Sequence, residues 1–384
     1  MGELYRLDPA EGCYFFLRIS KLFMSTKIIV SVVGARPQFV KAAVVSRALK
    51  PLYSGVEEIF IHTGQHYDAN MSNIFFDEME MKQPDYNLSV GSGSHAVQTA
   101  RMLEGLEPIL LKHKPACVLI YGDTNSTLAA ALTSAKMHVP VAHVESGLRS
   151  FNRAMPEEIN RIVADHLSDL LFAPTAVAVK NLLHEGIERK KIIETGDVML
   201  DAALFYGERA REKSVVLKKL GLKSKDYVLA TIHRAENVDD PERLKLICSA
   251  LSDVSKKLPV VFPVHPRTRA KLGSAIGEKD VICIDPVGYI DMVALEASAA
   301  LIATDSGGVQ KEAYFHKVPC VTLRTETEWL ELLDAGWNIL APPTADQKLA
   351  ETILSRVGTR GSDELLYGDG AASEKIATTL ANTF

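Results

Sequence analysis

Short runs of β-branched and apolar residues alternate along this chain with longer stretches in which apolar positions recur every three or four residues. That alternation predicts a parallel sheet wrapped by helices: a strand covered on both faces reads as a continuous apolar run, a surface helix as a stripe. The first half predicts strands at residues 27–33, 58–63, 116–121, 139–144, 170–173 and 191–194, with helices at 39–50, 94–113, 126–137 and 157–167. A charged helix at 200–220 interrupts the rhythm. Strands then follow at 227–232, 260–264, 281–284, 300–304 and 320–323, with helices at 241–257, 291–297, 309–316 and 345–357. The expected fold is α/β, with two Rossmann-like lobes facing one another across an interdomain cleft. Residues 1–26 read as an N-terminal extension, 27–196 as the first lobe and 197–370 as the second, with a last helix in 371–384 packing back on the first.

Composition narrows this without changing it. A length of 384 residues, 47% hydrophobic and 24% charged, suits two domains that each bury a core. The formal charge of -5 gives no support to nucleic-acid binding, and no apolar run is long enough to span a bilayer. The five cysteines are odd in number, scattered and without paired short spacing, as expected of small buried hydrophobes in a reducing, cytoplasmic protein. Arg18 and Lys21 interrupt the apolar patch that ends at Leu17 and no small-residue cleavage site follows, so the segment is read as a loose extension or a misplaced start codon and not a secretory signal. No His, Cys and carboxylate cluster has zinc-ligand spacing, and the loop after the first strand lacks the three-glycine dinucleotide fingerprint; neither a metal nor a nicotinamide or flavin cofactor is expected.

The candidate chemistry lies at strand ends. The run at 139–144 stops at Glu145-Ser146-Gly147, and in an open α/β sheet that end faces the ligand crevice. A carboxylate closing an apolar strand is costly unless something uses it. Asp123, in Gly122-Asp123-Thr124, closes another strand and either caps the following helix or shares the crevice. Glu157 and Glu158 follow Pro156 and read on their own as helix-start acids. Arg36 and Lys41 flank a helix start suited to an anion. In the second lobe, Ser306-Gly307-Gly308 leaves backbone N–H groups free at a helix N-terminus, the arrangement that holds a phosphate; with Glu312 as acceptor for ribose hydroxyls it suggests a nucleoside diphosphate. His233 and Arg234 end one strand toward the cleft, and His265 ends the next.

Six segments taken in order, Gly34-Ala35-Arg36-Pro37, His62-Thr63-Gly64-Gln65-His66, Gly122-Asp123-Thr124, His143 to Arg149 with Pro156 to Arg161, His233 to Asn237, and Asp305 to Gln310, resemble the non-hydrolysing UDP-N-acetylglucosamine 2-epimerases from about residue 27 to the C-terminus. The resemblance implies a glycosyltransferase-B architecture and a homodimer that interconverts UDP-N-acetylglucosamine and UDP-N-acetylmannosamine, supplying surface-polysaccharide precursors. The implied route eliminates UDP across C1–C2 to a 2-acetamidoglucal and adds it back with inverted C2. It implies Asp123, Glu145, Glu157 and His233 as catalytic residues, and Arg36, Lys41, Arg149, Ser306, Gly307, Gly308, Glu312 and Arg324 as substrate contacts. Gln65, His66 and His265 correspond to a regulatory substrate site.

Departures from the family pattern bear on substrate. Ala35 and Gln38 stand where threonine and glutamate are usual, Ala235 replaces a second arginine, and Trp329 falls where an arginine–proline pair is frequent. With Ser150-Phe151-Asn152-Arg153, these resemble the branch acting on UDP-2,3-diacetamido-2,3-dideoxyglucuronate, whose carboxylate Arg153 could meet. Two rivals remain: a glycosyltransferase of the same architecture, which needs an acceptor and exchanges no C2 hydrogen, and an idle nucleotide-sugar sensor indifferent to Glu145→Gln.

Overall fold

The structure, a computed structural model, describes residues 27–52, 55–65, 76, 78–272 and 281–384. The extension 1–26 and His66 lie outside the described residues. Among those described, seven parallel strands form the first sheet: β1 (Lys27–Val33), β2 (Val56–His62), β3 (Tyr86–Asn87), β4 (Cys117–Tyr121), β5 (Val141–Val144), β6 (Leu170–Ala173) and β7 (Ile192–Glu194). Six more form the second: β8 (Val228–Thr231), β9 (Val260–Pro263), β10 (Ile282–Ile284), β11 (Leu301–Thr304), β12 (Cys320–Thr322) and β13 (Asn338–Leu340). The spatial orders are β3-β2-β1-β4-β5-β6-β7 and β10-β9-β8-β11-β12-β13. Each order reverses once, between β1 and β4 and between β8 and β11, and a crevice opens at such a switch point beyond the carboxyl ends of the strands. The loops carrying Arg36, Asp123, His233 and Ser306 all leave from those four strands.

The central strands are buried end to end; every residue of β4, β5, β8 and β11 is shielded from solvent. One apolar cluster runs through both lobes, taking in Val33 and Phe39 from the first and Tyr289 and Ile302 from the second. Tyr206, on the connecting helix Val198–Lys213, stands edge-on to Tyr289 with ring centroids 5.3 Å apart and donates to the Met79 carbonyl at 3.1 Å. Glu78 reaches from the first lobe to accept the Tyr289 N–H at 2.7 Å, at the start of the second-lobe helix Tyr289–Ser298. Each aromatic buried in this seam contributes about 1.5–3 kcal/mol, so the lobes meet on apolar area as well as charge. The C-terminal helix Ala372–Thr383 packs on the first-lobe helix Arg36–Leu49, and its start is held by Asp201, which accepts from Ala372 N, Ser373 N and Ser373 Oγ at 3.2, 2.7 and 2.6 Å.

The structure departs from the sequence pattern in places. The helix expected at 200–220 breaks into Val198–Lys213 and Val216–Leu220, where the Ser214 hydroxyl accepts from Val216 N and donates to Asp291 across the lobe. The edge strands β3 and β13 and the helices Ala176–His184, Ala235–Val238, Pro266–Leu272 and Leu330–Asp334 join the expected set. Among the described residues no helix is long and apolar enough to cross a membrane.

Candidate active site

The first-lobe half of the site begins with His143 in β5. Its Nδ1 lies 2.7 Å from Asp165 Oδ1 and its Nε2 lies 2.7 Å from the Gly122 carbonyl. Both partners are acceptors, so the ring is pinned from its two nitrogens. Asp165 also takes Arg149 Nη1 at 2.7 Å and the Gly147 N–H at 3.0 Å, while Arg149 grips Glu185 through Nε and Nη2 at 2.7 and 2.6 Å. Burial opposes the Asp165 charge, yet His143 and Arg149 outweigh it and hold the carboxyl below its ordinary pKa. Gly147 is confined by contact as well as by its φ of +79°: a Cβ there would sit 2.5 Å from the Ala178 carbonyl oxygen. The network clamps the β5 end between β4 and the helix Pro156–Leu167. Arg149 belongs to this network, its side chain 1% exposed and paired with Asp165 and Glu185.

Glu145, one residue past the strand, takes a φ of +69°, a region that costs a residue with a Cβ about 1–2 kcal/mol. Ion pairs on both sides hold it there. Lys41 Nζ lies 2.5 Å from Oε1, and Lys311 Nζ, from the second lobe, lies 3.7 Å from Oε2. Burial pushes the carboxyl up, but the two ammonium groups, with Arg161 adding to their field, bring it down to about 2. Asp123 Oδ2 accepts from both Nε and Nη2 of Arg161, at 3.0 and 2.7 Å, and Asn160 donates to the Asp123 carbonyl at 2.9 Å. The same Arg161 reaches Glu158 at 2.8 Å, and Glu158 accepts the Ser150 and Phe151 N–H groups, each at 2.9 Å. Of the acidic pair, then, Glu158 turns inward to order the loop, while Glu157 stays exposed in the first turn of its helix. Asp123, Glu145 and the start of the Glu157 helix share one end of the sheet, joined through Arg161.

The second-lobe half is built on Asp305, fully buried after β11. It accepts from His233 N, Arg234 N and Asn237 Nδ2, and its Oδ1 lies 3.5 Å from His233 Nδ1. His233 is half exposed; partial burial lowers its pKa, with Arg234 and His265 adding to the effect against Asp305, so the ring is neutral near pH 7. Ser306 precedes the helix Gly307–Phe315, whose free N–H end faces the cleft. There the Glu328 carboxylate lies against Gly307, where any Cβ would collide with it; Glu328 Oε2 accepts from Arg324 Nη1 at 2.9 Å, and Oε1 is 3.9 Å from Arg234 Nη2. Trp329 Nε1 donates to the Gly307 carbonyl at 2.9 Å. Farther down the same helix burial raises Glu312 against the pull of Arg36 from the other lobe and of Lys311, and burial followed by repulsion from Glu312 raises Glu296.

Gln65 lies in the loop that follows β2. Its Oε1 accepts from Ser126 N and Oγ at 3.1 and 2.8 Å, bracing the loop after β2 against the helix Asn125–Lys136. The sequence reading passed over Lys311, Arg161, Glu328, Glu296 and Asp197. Only Arg161 carried a signal, lying three residues after Glu158 on one helical face; the others depend on contacts between distant segments.

A sequence profile described as UDP-N-acetylglucosamine 2-epimerase matches residues 52–381. The UDP-2,3-diacetamido-2,3-dideoxy-D-glucuronate 2-epimerase of Pseudomonas aeruginosa is 51% identical over 357 residues, 92% of this chain and 99% of that protein. A UDP-N-acetylglucosamine 2-epimerase homolog of Methanococcus maripaludis is 50% identical over 361 residues, 92% of this chain and 99% of its own length. Among solved structures, the UDP-GlcNAc 2-epimerase of Methanocaldococcus jannaschii in complex with UDP-GlcNAc and UDP superposes with a TM-score of 0.82 at 42% identity, covering 92% of this chain and 99% of that one.

Proposed function

This chain belongs to the UDP-N-acetylglucosamine 2-epimerase family, and from that premise we propose that it inverts C2 of a UDP-linked 2-acetamido sugar. It is an isomerase of glycosyltransferase-B fold, and the reading taken first is interconversion of UDP-N-acetylglucosamine and UDP-N-acetylmannosamine. The observation that carries it is the meeting of two half-sites: Lys311, one turn below the free N–H end of its helix, lies 3.7 Å from the first-lobe acid Glu145. An acid beside C2 and an anion cradle beside the diphosphate is the pairing that elimination needs.

In the proposed reaction a carboxylate removes the C2 proton as the C1–O bond to UDP breaks, leaving a C1=C2 double bond and free UDP. UDP then returns to C1 while a proton reaches C2 from the opposite face. Glu145, held ionised, starts as an acceptor; Asp123 and Glu157 complete the acid–base set. The Ser306–Gly308 N–H groups, Arg234, Arg324 and neutral His233 stabilise the departing diphosphate, Arg36 and Lys41 add positive charge from the other lobe, and Glu312 meets the ribose. No cofactor enters this scheme. The buried thiols of Cys117, Cys248 and Cys320 support a reducing, cytoplasmic setting, and a homodimer is the assembly we assign; sedimentation tests it.

A second substrate is favoured by a specific observation: the 51% identical relative acts by name on the diacetamido uronate, and Arg153 stands exposed in the loop that Glu158 orders. Incubation with each UDP-sugar in heavy water decides. Deuterium at C2 is expected, and the faster-exchanging sugar identifies the substrate; no exchange with either rejects the epimerase reading.

A further inference from the structure

Lys311 is a buried ammonium with a complete set of partners. It leaves the Gly307–Phe315 helix one turn after the cradle residues, and its side chain is 6% exposed. Nζ lies 2.7 Å from Asp197 Oδ2 and 3.7 Å from Glu145 Oε2, 4.4 Å from the Trp329 ring centroid and 5.7 Å from that of Tyr367. Asp197 in turn caps the connecting helix Val198–Lys213, accepting Met199 N at 2.8 Å, and its own N–H donates to the Tyr367 carbonyl at 2.9 Å. A lone lysine would not be retained in so dry a place, because its desolvation penalty is several kcal/mol. Two carboxylates and an aromatic face offset that penalty. The result is one side chain joining three parts of the molecule: the helix that presents the diphosphate cradle, the link between lobes, and the acid at the end of β5.

The two oxygens of Glu145 therefore face one lysine from each lobe, Lys41 from the helix Arg36–Leu49 and Lys311 from the cradle helix. Arg161, on the helix Pro156–Leu167, contributes a third positive charge, and Asp197 and Glu312 moderate Lys311 from behind. We propose that Lys311 is a positioning residue for Glu145, supplied by the nucleotide-binding lobe, so that the acid is correctly placed only where the two lobes are seated together. This rests on the epimerase reading. It adds that proton transfer at C2 is tied to the helix that holds the diphosphate, a coupling that keeps UDP and the unsaturated sugar in register between elimination and re-addition.

The test is the pH profile of C2 exchange. Loss of an opposite charge at this range moves a carboxyl by about one pH unit or more. Lys311→Met should therefore raise the acid limb of kcat by about one unit and lower kcat at least about tenfold, with the Kd for UDP within about threefold of wild type. Because that variant strands Asp197, the pair Lys311→Met with Asp197→Asn, which keeps a capping side chain, is measured beside it. Added to Glu145→Gln, Lys311→Met should cost little more, since the group it positions is already gone. An unmoved acid limb in a folded variant, or full additivity with Glu145→Gln, overturns the proposal. Absence of C2 exchange in the wild-type protein with both UDP-sugars instead removes the functional reading, and this proposal with it.

Discussion

His143 in the first lobe and His316 in the second stand in opposite surroundings. His143 lies between the Asp165 carboxylate and the Gly122 carbonyl, in a chain that runs through Asp165 and Arg149 to Glu185. His316 ends the cradle helix of the second lobe with Lys225 and Arg211 as its charged neighbours, and its Nε2 has no hydrogen-bond partner among the described residues; burial, then those cations, push it down to about 4. The same contrast holds at the site. First-lobe charges are paired at 2.5–3.0 Å, whereas in the second lobe Arg324 Nη1 pairs with Glu328 at 2.9 Å but Arg234 Nη2 and Arg324 Nε stand 3.9 Å from their acids, Nε has no hydrogen-bond partner among the described residues, and burial raises Glu296 and Glu312. One lobe is complete without a ligand. The other is arranged to receive an anion.

The largest effect should come from the first lobe's working group. Glu145→Gln keeps the shape and removes the charge, and turnover should fall on the order of 10³-fold or more, about 4 kcal/mol, as for loss of a general base. Binding of UDP, a second-lobe property, should hold. A variant that loses UDP binding in parallel with turnover would erase the division of labour just drawn.

Next in size is the clamp behind Glu145. Asp165→Asn leaves the Arg149 cation and His143 without their common partner, and removing one member of a buried ion pair costs about 3–5 kcal/mol. Urea unfolding followed by tryptophan fluorescence should register it, since both tryptophans, Trp329 and Trp337, report on the second lobe and on the seam. A loss confined to activity, with the midpoint unchanged, would mean the network only tunes the site.

Much of this was legible before any coordinates. Strand ends 33, 121, 144 and 304 fall within a residue of the pattern, because apolar runs that stop at Gly, Asp or Glu mark both the strand and the crevice it faces. What escaped has one physical origin. The pairing of Arg149 with Asp165 and Glu185, and of Lys311 with Asp197 and Glu145, joins residues far apart in the chain, which no local pattern announces. The break at Ser214 has no Gly or Pro to announce it, since it is fixed by a bond to Asp291 in another helix. The short edge strands β3 and β13, of two and three residues, are set by their neighbours' registers and not by their own composition.

Acid should expose the second lobe's histidine. The folded pKa of His316, about 4, lies below its ordinary 6.5, so the unfolded chain binds the proton first. Its contribution is present above pH 6.5 and is lost as pH falls from there toward 4, up to about 3 kcal/mol in all. Glu145 adds a similar loss only below pH 4.5. Thermal unfolding between pH 7 and pH 5 should thus show a decline that His316→Phe blunts; an equal decline in both proteins would place the acid sensitivity elsewhere.

The smallest effect is the most telling about the cradle. Glu328 lies against Gly307 and shares Arg324 and Arg234, so its carboxylate occupies the field that a diphosphate would enter. Exchanging it for a neutral isostere lifts that competition while leaving the arginines in place. Glu328→Gln should bind UDP more tightly, by roughly three- to tenfold or about 1 kcal/mol, since the acid is one-third exposed and partly screened. The gain should shrink as salt rises from 50 to 500 mM, values chosen as approximate ends of the screening range, whereas a hydrogen bond from Glu328 to the ligand would make the same substitution weaken binding at every ionic strength. Calorimetry at the two salt concentrations separates these cases, and weaker binding at both would show that Glu328 belongs to the ligand's own shell and that the second lobe is less empty of designed partners than its distances imply.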